Sequence, residues 1–356
     1  MSRWAAISAA LLWAGPVWAN DAGESVRFRG QSPFNVQELR PAPGKVLFET
    51  KDSDQPDGPY DSVLIHGVMP DRNLRLEVAV STGPGARHDW LPILVKRFPG
   101  GRFWAKYKFP ALQTSPLRLR AVDIGINSVH VFELYDVELF VAGTGPESEA
   151  VGPMPSGHVR ISTGSYLFVD RQEWGAAAQN GEYVQHLPVR MTMHHTAGRK
   201  PDDFFEAARE MRFIQDYHVN GRGWMDIGYH FVISPQGVVF QGRPESVVGS
   251  HVLGHNTGNI GISFMGNYHP PVSDGPQAVS LQAFVAVARR VAADYNIGGD
   301  EVRAHREMSP TDCPGEALYA RFPELKARIA LPPAAMMDRL PKRDWAGAAY
   351  LNHLPW

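Results

Sequence analysis

The chain has 356 residues, enough for two domains of ordinary size, and 44% of them are hydrophobic against 20% charged. A formal net charge of −2 with no basic stripe argues against nucleic-acid binding through phosphate neutralisation. Gly (34) and Pro (29) are too frequent for a long helical bundle and point to many turns.

Residues 1–19 read as a secretory signal peptide. Arg3 gives a short positive start, Trp4 to Trp18 form an uncharged apolar stretch, and Val17 and Ala19 fit a small-residue cleavage site. The stretch is shorter than the roughly 20 apolar residues of a membrane span. No Cys follows it to carry a lipid anchor, and no other segment approaches a span. An exported protein is expected, in the bacterial periplasm or outside the cell. Cysteines in such compartments are usually paired or absent. Here Cys313 stands alone, a thiol open to oxidation unless a metal occupies it.

From about 24 to 142 apolar and polar residues alternate in short runs, as in Leu74-Arg75-Leu76-Glu77-Val78, Leu117-Arg118-Leu119-Arg120 and Val129 to Val141. Period-two alternation broken by Pro, Gly and Asp predicts half-buried strands, and the absence of a helical stretch predicts an antiparallel β-sandwich domain over 24–142. Residues 143–157, rich in Gly, Pro, Ser and Glu, form a linker.

Residues 158–330 carry a mixed pattern that predicts an α/β domain. Met191 to Met193 lead into His194 as a strand, and Asp202 is placed to cap a helix burying Phe204, Ala208, Met211 and Gln215, with Phe205 and Ile214 flanking. Tyr229 to Ser234 and Val238 to Gln241 form a hairpin around Gln236-Gly237, and Ile260 to Met265 a buried strand. Ser280 is expected to cap the helix in which Leu281, Phe284, Val285, Ala288, Val291, Ala292 and Tyr295 share a face. A tail over 331–356 holds Pro332, Pro333, Pro341, Trp345, Tyr350 and Trp356.

Two places concentrate metal-binding side chains: His194-His195 at a strand end, and the loop from His305 to Cys313. Catalytic zinc takes three protein ligands from His, Cys and carboxylates and leaves a fourth position to water. His194, His305 and Cys313 match that count. Taken singly each has a plainer reading, the histidines as strand-end residues and Cys313 as a small buried apolar side chain. The spacing of His305 and Cys313 alone does not decide between them.

The wider sequence does. Residues 160–328 resemble the peptidoglycan recognition protein family, which includes the T7-lysozyme-type zinc amidases. The matching segments come in order: Arg171-Gln172-Glu173-Trp174-Gly175-Ala176, Met193-His194-His195-Thr196-Ala197-Gly198, Gly223-Trp224-Met225-Asp226-Ile227-Gly228-Tyr229-His230-Phe231 and Gly237-Val238-Val239-Phe240-Gln241-Gly242-Arg243. They continue with Gly249-Ser250-His251, Asn256, Ile260 to Tyr268, and His305-Arg306-Glu307 through Cys313-Pro314-Gly315.

The resemblance implies a mixed central sheet flanked by helices and the activity of an N-acetylmuramoyl-L-alanine amidase, acting on peptidoglycan or muropeptides. It implies His194, His305 and Cys313 as Zn2+ ligands, Tyr229 as a catalytic tyrosine whose O–H would donate to the oxyanion or to the water, and Thr311 as a catalytic residue orienting water or the intermediate. His251, Asn256 and Arg243 are implied near the substrate groove, with loop-stabilising hydrogen bonds as their alternative. Glu307 is a candidate to orient His305, or else a solvated loop carboxylate. His195 is expected to support the fold, and Trp174 and Trp224 to pack. Gly198 to Glu210 lacks the cysteines that animal members bridge there, so packing by Phe204 and Phe205 is expected to hold that segment. The N-terminal sandwich lies outside the resemblance, and wall binding would suit it. The competing readings are a peptidoglycan-binding protein without catalysis and a purely structural zinc site. Cys313 and Tyr229 together favour catalysis.

Overall fold

Strict alternation gives each N-terminal strand one apolar face, and the strands satisfy these faces by pairing into two sheets. The computed structural model describes residues 24–28, 36–39, 42–83, 87–125, 130–143 and 166–330. The signal peptide at 1–19, all of the 143–157 linker but Gly143, and the 331–356 tail lie outside the described residues.

The strands are β1 (Glu24–Ser25), β2 (Val36–Leu39), β3 (Val46–Glu49), β4 (Tyr60–Val68), β5 (Leu74–Val80), β6 (Leu91–Pro92), β7 (Leu94–Arg97), β8 (Arg102–Gln113), β9 (Leu117–Asp123) and β10 (His130–Phe140). One sheet runs β1-β10-β4-β8-β7 with β2 also on β10, the other β3-β9-β5-β6, and every pairing is antiparallel. Val63, Ile65, Phe103, Ala105, Val137 and Leu139 of the first sheet meet Leu74, Leu76, Val78, Leu117 and Leu119 of the second in one core. A bulge between Leu134 and Asp136 lets both Leu134 and Val137 turn inward.

The opposite face of the first sheet carries Leu64, His66, Arg102, Trp104, Lys106, Asp136, Glu138 and Phe140, and most of these meet the second half of the chain rather than water. There the elements are β11 (Phe168–Val169), β12 (Arg190–His195), α1 (Phe204–Asp216), a π-helical turn (Tyr217–Arg222), β13 (Phe231–Ile233), β14 (Val239–Gln241), β15 (Asn259–Phe264), α2 (Ala278–Tyr295), β16 (Val302–Ala304), α3 (Glu316–Tyr319) and α4 (Phe322–Ala330). The sheet order is β11-β14-β13-β15-β12-β16, parallel throughout except for the β13–β14 hairpin. Phe231, Ile233, Ile260, Ile262 and Phe264 pack on α2 and α4 on one side. Val232, Phe240 and Met265 pack on α1 and, through Leu64 and Phe140, on the N-terminal sheet on the other.

That junction is polar and closely fitted. Arg102 donates to both carboxylate oxygens of Glu210 at 3.0 and 2.7 Å and to the Gly67 carbonyl at 2.8 Å, with both charged side chains only 4% exposed. Trp104 Nε1 donates to Asp216 at 2.8 Å and Lys106 Nζ to the Gly221 carbonyl at 2.7 Å. Glu138 accepts from Tyr217 and pairs with Arg222 at 3.0 Å.

Three local expectations are corrected. The cap of α1 is Asp203, whose extended backbone lets its carboxylate accept the Glu206 N–H at 2.8 Å, not Asp202. Ser280 lies inside the first turn of α2 and donates to the Gln277 carbonyl, so it does not cap that helix. Phe205 points to solvent at 57% exposure, and the α1 segment is held by Phe204, as expected, together with Ala207, Met211, Phe213 and Ile214. Among the described residues no helix is long and apolar enough to cross a membrane.

Candidate metal centre

His194 sits near the end of β12. Its parallel neighbour β16 pairs Ala304 with Met193, so His305, the next residue, emerges beside His194 with ring centroids 4.6 Å apart. The carboxyl ends of parallel strands are where α/β sheets place ligands. Cys313 returns to the same point because its loop folds back. Arg306 N donates to the Cys313 carbonyl at 3.1 Å, and His195 N to Cys313 Sγ at 3.4 Å. Thr311 Oγ1 accepts the Cys313 N–H at 3.2 Å. The loop closes at Gly315, where φ is +87° and a Cβ would lie 2.4 Å from the Tyr268 backbone.

One donor atom from each of His194, His305 and Cys313 falls within 4.8 Å of the others. The contact of His194 Nδ1 with Cys313 Sγ is 3.5 Å, close to the about 3.5 Å edge expected for N and S ligands around a tetrahedral ion. His305 Nδ1 is buried without a hydrogen-bond partner, which an ion would relieve. Burial, with the neighbouring His305, holds His194 well below the usual imidazole range, and burial holds His305 at about 4, so both rings are neutral donors. Burial pushes the Cys313 thiol up to about 12; a cation beside it favours the thiolate. The residues fit a metal ion.

The free nitrogen of His194 is fixed by its neighbours. His251 Nε2 lies 3.1 Å from the Asn259 carbonyl, which can only accept, so that nitrogen carries the proton. His251, held neutral at about 3 chiefly by burial, then accepts at Nδ1 from His194 Nε2 at 3.0 Å. The His194 Nδ1 lone pair is left facing Cys313. A Cβ at Gly249 or Gly261 would meet the His251 ring at 2.5 or 2.7 Å, so these glycines form its slot. Asn256 Oδ1 accepts from the N–H groups of His251 and Val252 at 2.7 and 2.9 Å, anchoring that loop.

Tyr229 precedes β13 and its ring lies 5.4 Å from that of His194. Burial, reinforced by Cys313, pushes its phenol above the ordinary range, keeping an O–H donor. Tyr229, Thr311, His251 and Asn256 line one cavity of about 1160 Å³ with the three metal-binding candidates. Arg243 is not brought there. Its guanidinium is 4% exposed and donates to the Ile227, Val248 and Asp226 carbonyls and to Ser250 Oγ, so it is spent on the fold. Glu307 does not reach His305 in the hydrogen-bond pattern; it accepts from Ala304 N and Tyr319. His195 accepts the Tyr268 N–H at Nδ1, and buried Trp174 donates to the Gln241 carbonyl, both within the fold. Trp224 lines the cavity and packs against His218, the ring centroids 4.7 Å apart and the planes tilted by 32°.

Sequence reasoning missed the link from Asn259 through His251 to His194, because a backbone carbonyl leaves no mark in the sequence. It also missed the cavity wall from the N-terminal sheet, which includes Arg27, His66, Asp136 and Glu138.

A family profile described as N-acetylmuramoyl-L-alanine amidase matches residues 185–316. Peptidoglycan recognition protein 1 of Bos indicus is 39% identical over 156 residues, covering 42% of this chain and 80% of that protein. The N-acetylmuramoyl-L-alanine amidase of Homo sapiens is 35% identical over 185 residues, 49% of this chain. The match spans only 31% of the human protein's length. The crystal structure of drosophila peptidoglycan recognition protein SD is 31% identical, covering 44% of this chain and 93% of that one, with a TM-score of 0.42. With His194, His305 and Cys313 all inside the matched span and four-fifths of the bovine relative covered, the chain belongs to the peptidoglycan recognition protein and N-acetylmuramoyl-L-alanine amidase family.

Proposed function

We propose that this protein is an exported, zinc-dependent N-acetylmuramoyl-L-alanine amidase, cutting the amide between the muramic acid lactyl group and L-alanine in peptidoglycan or muropeptides. The observation that carries the reading is the convergence of His194, His305 and Cys313 on the lining of the cavity, with two neutral imidazoles and one thiol. Such a donor set suits zinc with a fourth position open to water. The chemistry supplied by bound zinc is acidification of a water molecule and polarisation of the scissile carbonyl.

The chain's own groups do the rest. His251 fixes the His194 tautomer. Tyr229, protonated at neutral pH, donates to the oxygen on which charge develops as the carbonyl is attacked. Thr311, whose oxygen accepts the Cys313 N–H, keeps its O–H available to orient water or the tetrahedral intermediate. Asn256 holds the loop carrying His251.

The second reading, recognition without cleavage, draws on the names of relatives such as the bovine and Drosophila peptidoglycan recognition proteins. Incubating zinc-loaded protein with defined muropeptides and analysing the products by mass separates the two. Release of stem peptides with new L-alanine amino termini is expected. Intact muropeptides that nonetheless bind would overturn the amidase reading in favour of recognition.

A further inference from the structure

The N-terminal sheets lie outside the matched span at 185–316, yet they reach the metal cavity. Strand pairing brings them there. Ser25 pairs with Glu138, Val26 N donates to the Val137 carbonyl at 2.9 Å, and Phe28 bridges to Ser53, so residues 24–28 run along the edge of the sheet. Arg27 then pairs with Asp312, the residue before Cys313, and lies 3.3 Å from His269. Behind it the outer face of the sheet closes the cavity with His66, Asp136 and Glu138.

The ionic accounts of this wall do not balance. Arg102 is spent on Glu210, Arg222 on Glu138 and Arg27 on Asp312. Asp136 is 9% exposed and accepts from Ser25 Oγ at 2.9 Å and from Val137 N at 2.8 Å. Among the described residues no cation forms an ion pair with it, and Arg222, paired with Glu138, acts on it only through the longer-range field. His66, directly opposite Asp136 on β4, is 6% exposed and its Nδ1 has no hydrogen-bond partner. Burial and the charge of Arg102 keep that ring neutral, so one of its two nitrogens is an acceptor. A buried carboxyl group without an ion-pair partner and a buried neutral imidazole with an unpartnered nitrogen thus stand side by side on one cavity. A positively charged hydrogen-bond donor would serve both. Burial and the adjacent Glu138 raise the Asp136 carboxyl to about 7 against the opposing pull of its two hydrogen bonds and of Arg222. The wall is also within electrostatic reach of the reaction centre, since Glu138 contributes to raising the Tyr229 phenol.

We propose that the N-terminal β region is part of the substrate site, and that Asp136 and His66 form a subsite for a primary ammonium group on the substrate. The inference rests on the amidase reading for the identity of the substrate as a muropeptide. The group that fits is a free amine on the stem peptide, held away from the scissile bond. The subsite selects substrates by charge and takes no part in the chemical step.

The test compares two muropeptides differing only in acetylation of the stem-peptide side-chain amine, using the zinc-loaded full chain. The wild-type protein is expected to bind the free-amine form roughly tenfold or more tightly by calorimetry, the scale of one charge-assisted hydrogen bond, and to show the same preference in kcat/KM. Asp136→Asn should bring the binding ratio to within about twofold, with the loss falling on the free-amine ligand. Equal affinity of wild-type protein for the two ligands would overturn the subsite, and that measurement does not depend on any variant folding. An unchanged ratio in folded Asp136→Asn would overturn the role of Asp136. Amine-dependent binding without cleavage of either ligand would support the subsite while sinking the amidase, so the two failures are distinguishable.

Discussion

His194 can offer a metal only its Nδ1, because Nε2 is committed to His251 and His251 is in turn committed to the Asn259 carbonyl. Two hydrogen bonds therefore set a tautomer that a lone imidazole would leave to chance, and orient the ring as well. His251→Ala removes the acceptor and frees the His194 ring. Zinc affinity, measured by competition with a chelating indicator at neutral pH, is expected to weaken about 10- to 100-fold; an unchanged Kd would leave His251 as a lining residue alone. Tyr229 makes the complementary case. It touches no metal-binding candidate by hydrogen bond, so Tyr229→Phe should retain zinc at wild-type affinity while kcat falls about a hundredfold, the scale of one lost oxyanion donor. A kcat equal to wild type would remove the phenol from the mechanism. At this scale the sequence was legible where chemistry is carried by residue type: His194, His305, Cys313 and Tyr229 do converge. Arg243 was not legible, since an arginine saturated by three carbonyls and one beside a ligand look alike in sequence.

The elements explain both why the centre forms and why it is braced. Parallel pairing of β12 with β16 puts two histidines 111 positions apart in the chain side by side, and the hairpin places Tyr229 across from them. On the far side, α1 and the turn Tyr217–Arg222 are gripped by the N-terminal sheet through Arg102, Trp104, Lys106 and Glu138. Of these, the Arg102–Glu210 pair is the most buried, and Arg102 also lies 3.7 Å from the Phe213 ring centroid. Breaking one side of a buried pair leaves an uncompensated charge, so Glu210→Ala is expected to destabilise the protein by about 3–5 kcal/mol in denaturant unfolding. The Arg102→Met/Glu210→Met double variant should lose less than Glu210→Ala. A cost of Glu210→Ala below about 1 kcal/mol would mean that water already reaches the pair. Alternation predicted β5, β9 and β10 because a half-buried strand writes its burial at every second residue. It did not predict that the outer face of the first sheet is covered, because Arg, Lys, Glu and His there look like solvated residues until α1 supplies their partners. The same ambiguity misplaced the two helix caps by one to three residues, where Asp202 and Asp203, or Ser280 and Gln277, compete within a single turn.

At the scale of the molecule, the described residues include several buried neutral imidazoles, and these set its response to acid. Leaving aside the metal candidates and their neighbours, His66, His186, His218 and His230 are all held below the usual histidine range, each chiefly by burial, with His218 at about 3. In the unfolded chain each titrates near 6.5. A group whose pKa is lower in the folded state binds its proton first in the unfolded state. Its contribution to stability is therefore present above about 6.5 and is lost as pH falls from there towards the folded value. Asp136 works in the opposite sense, because its carboxyl group is raised to about 7 in the fold and takes up a proton there before the unfolded chain does. Burial raises the Glu245 and Asp274 carboxyls as well, so four lowered imidazoles stand against three raised carboxyls, which still leaves a net loss on acidification. Thermal melts of chelator-treated protein, in which metal release cannot contribute, should show Tm falling steadily from pH 7 to pH 5. A Tm that stays level or rises over that interval would mean that these rings accept protons without unfolding, and so that water reaches the core around them.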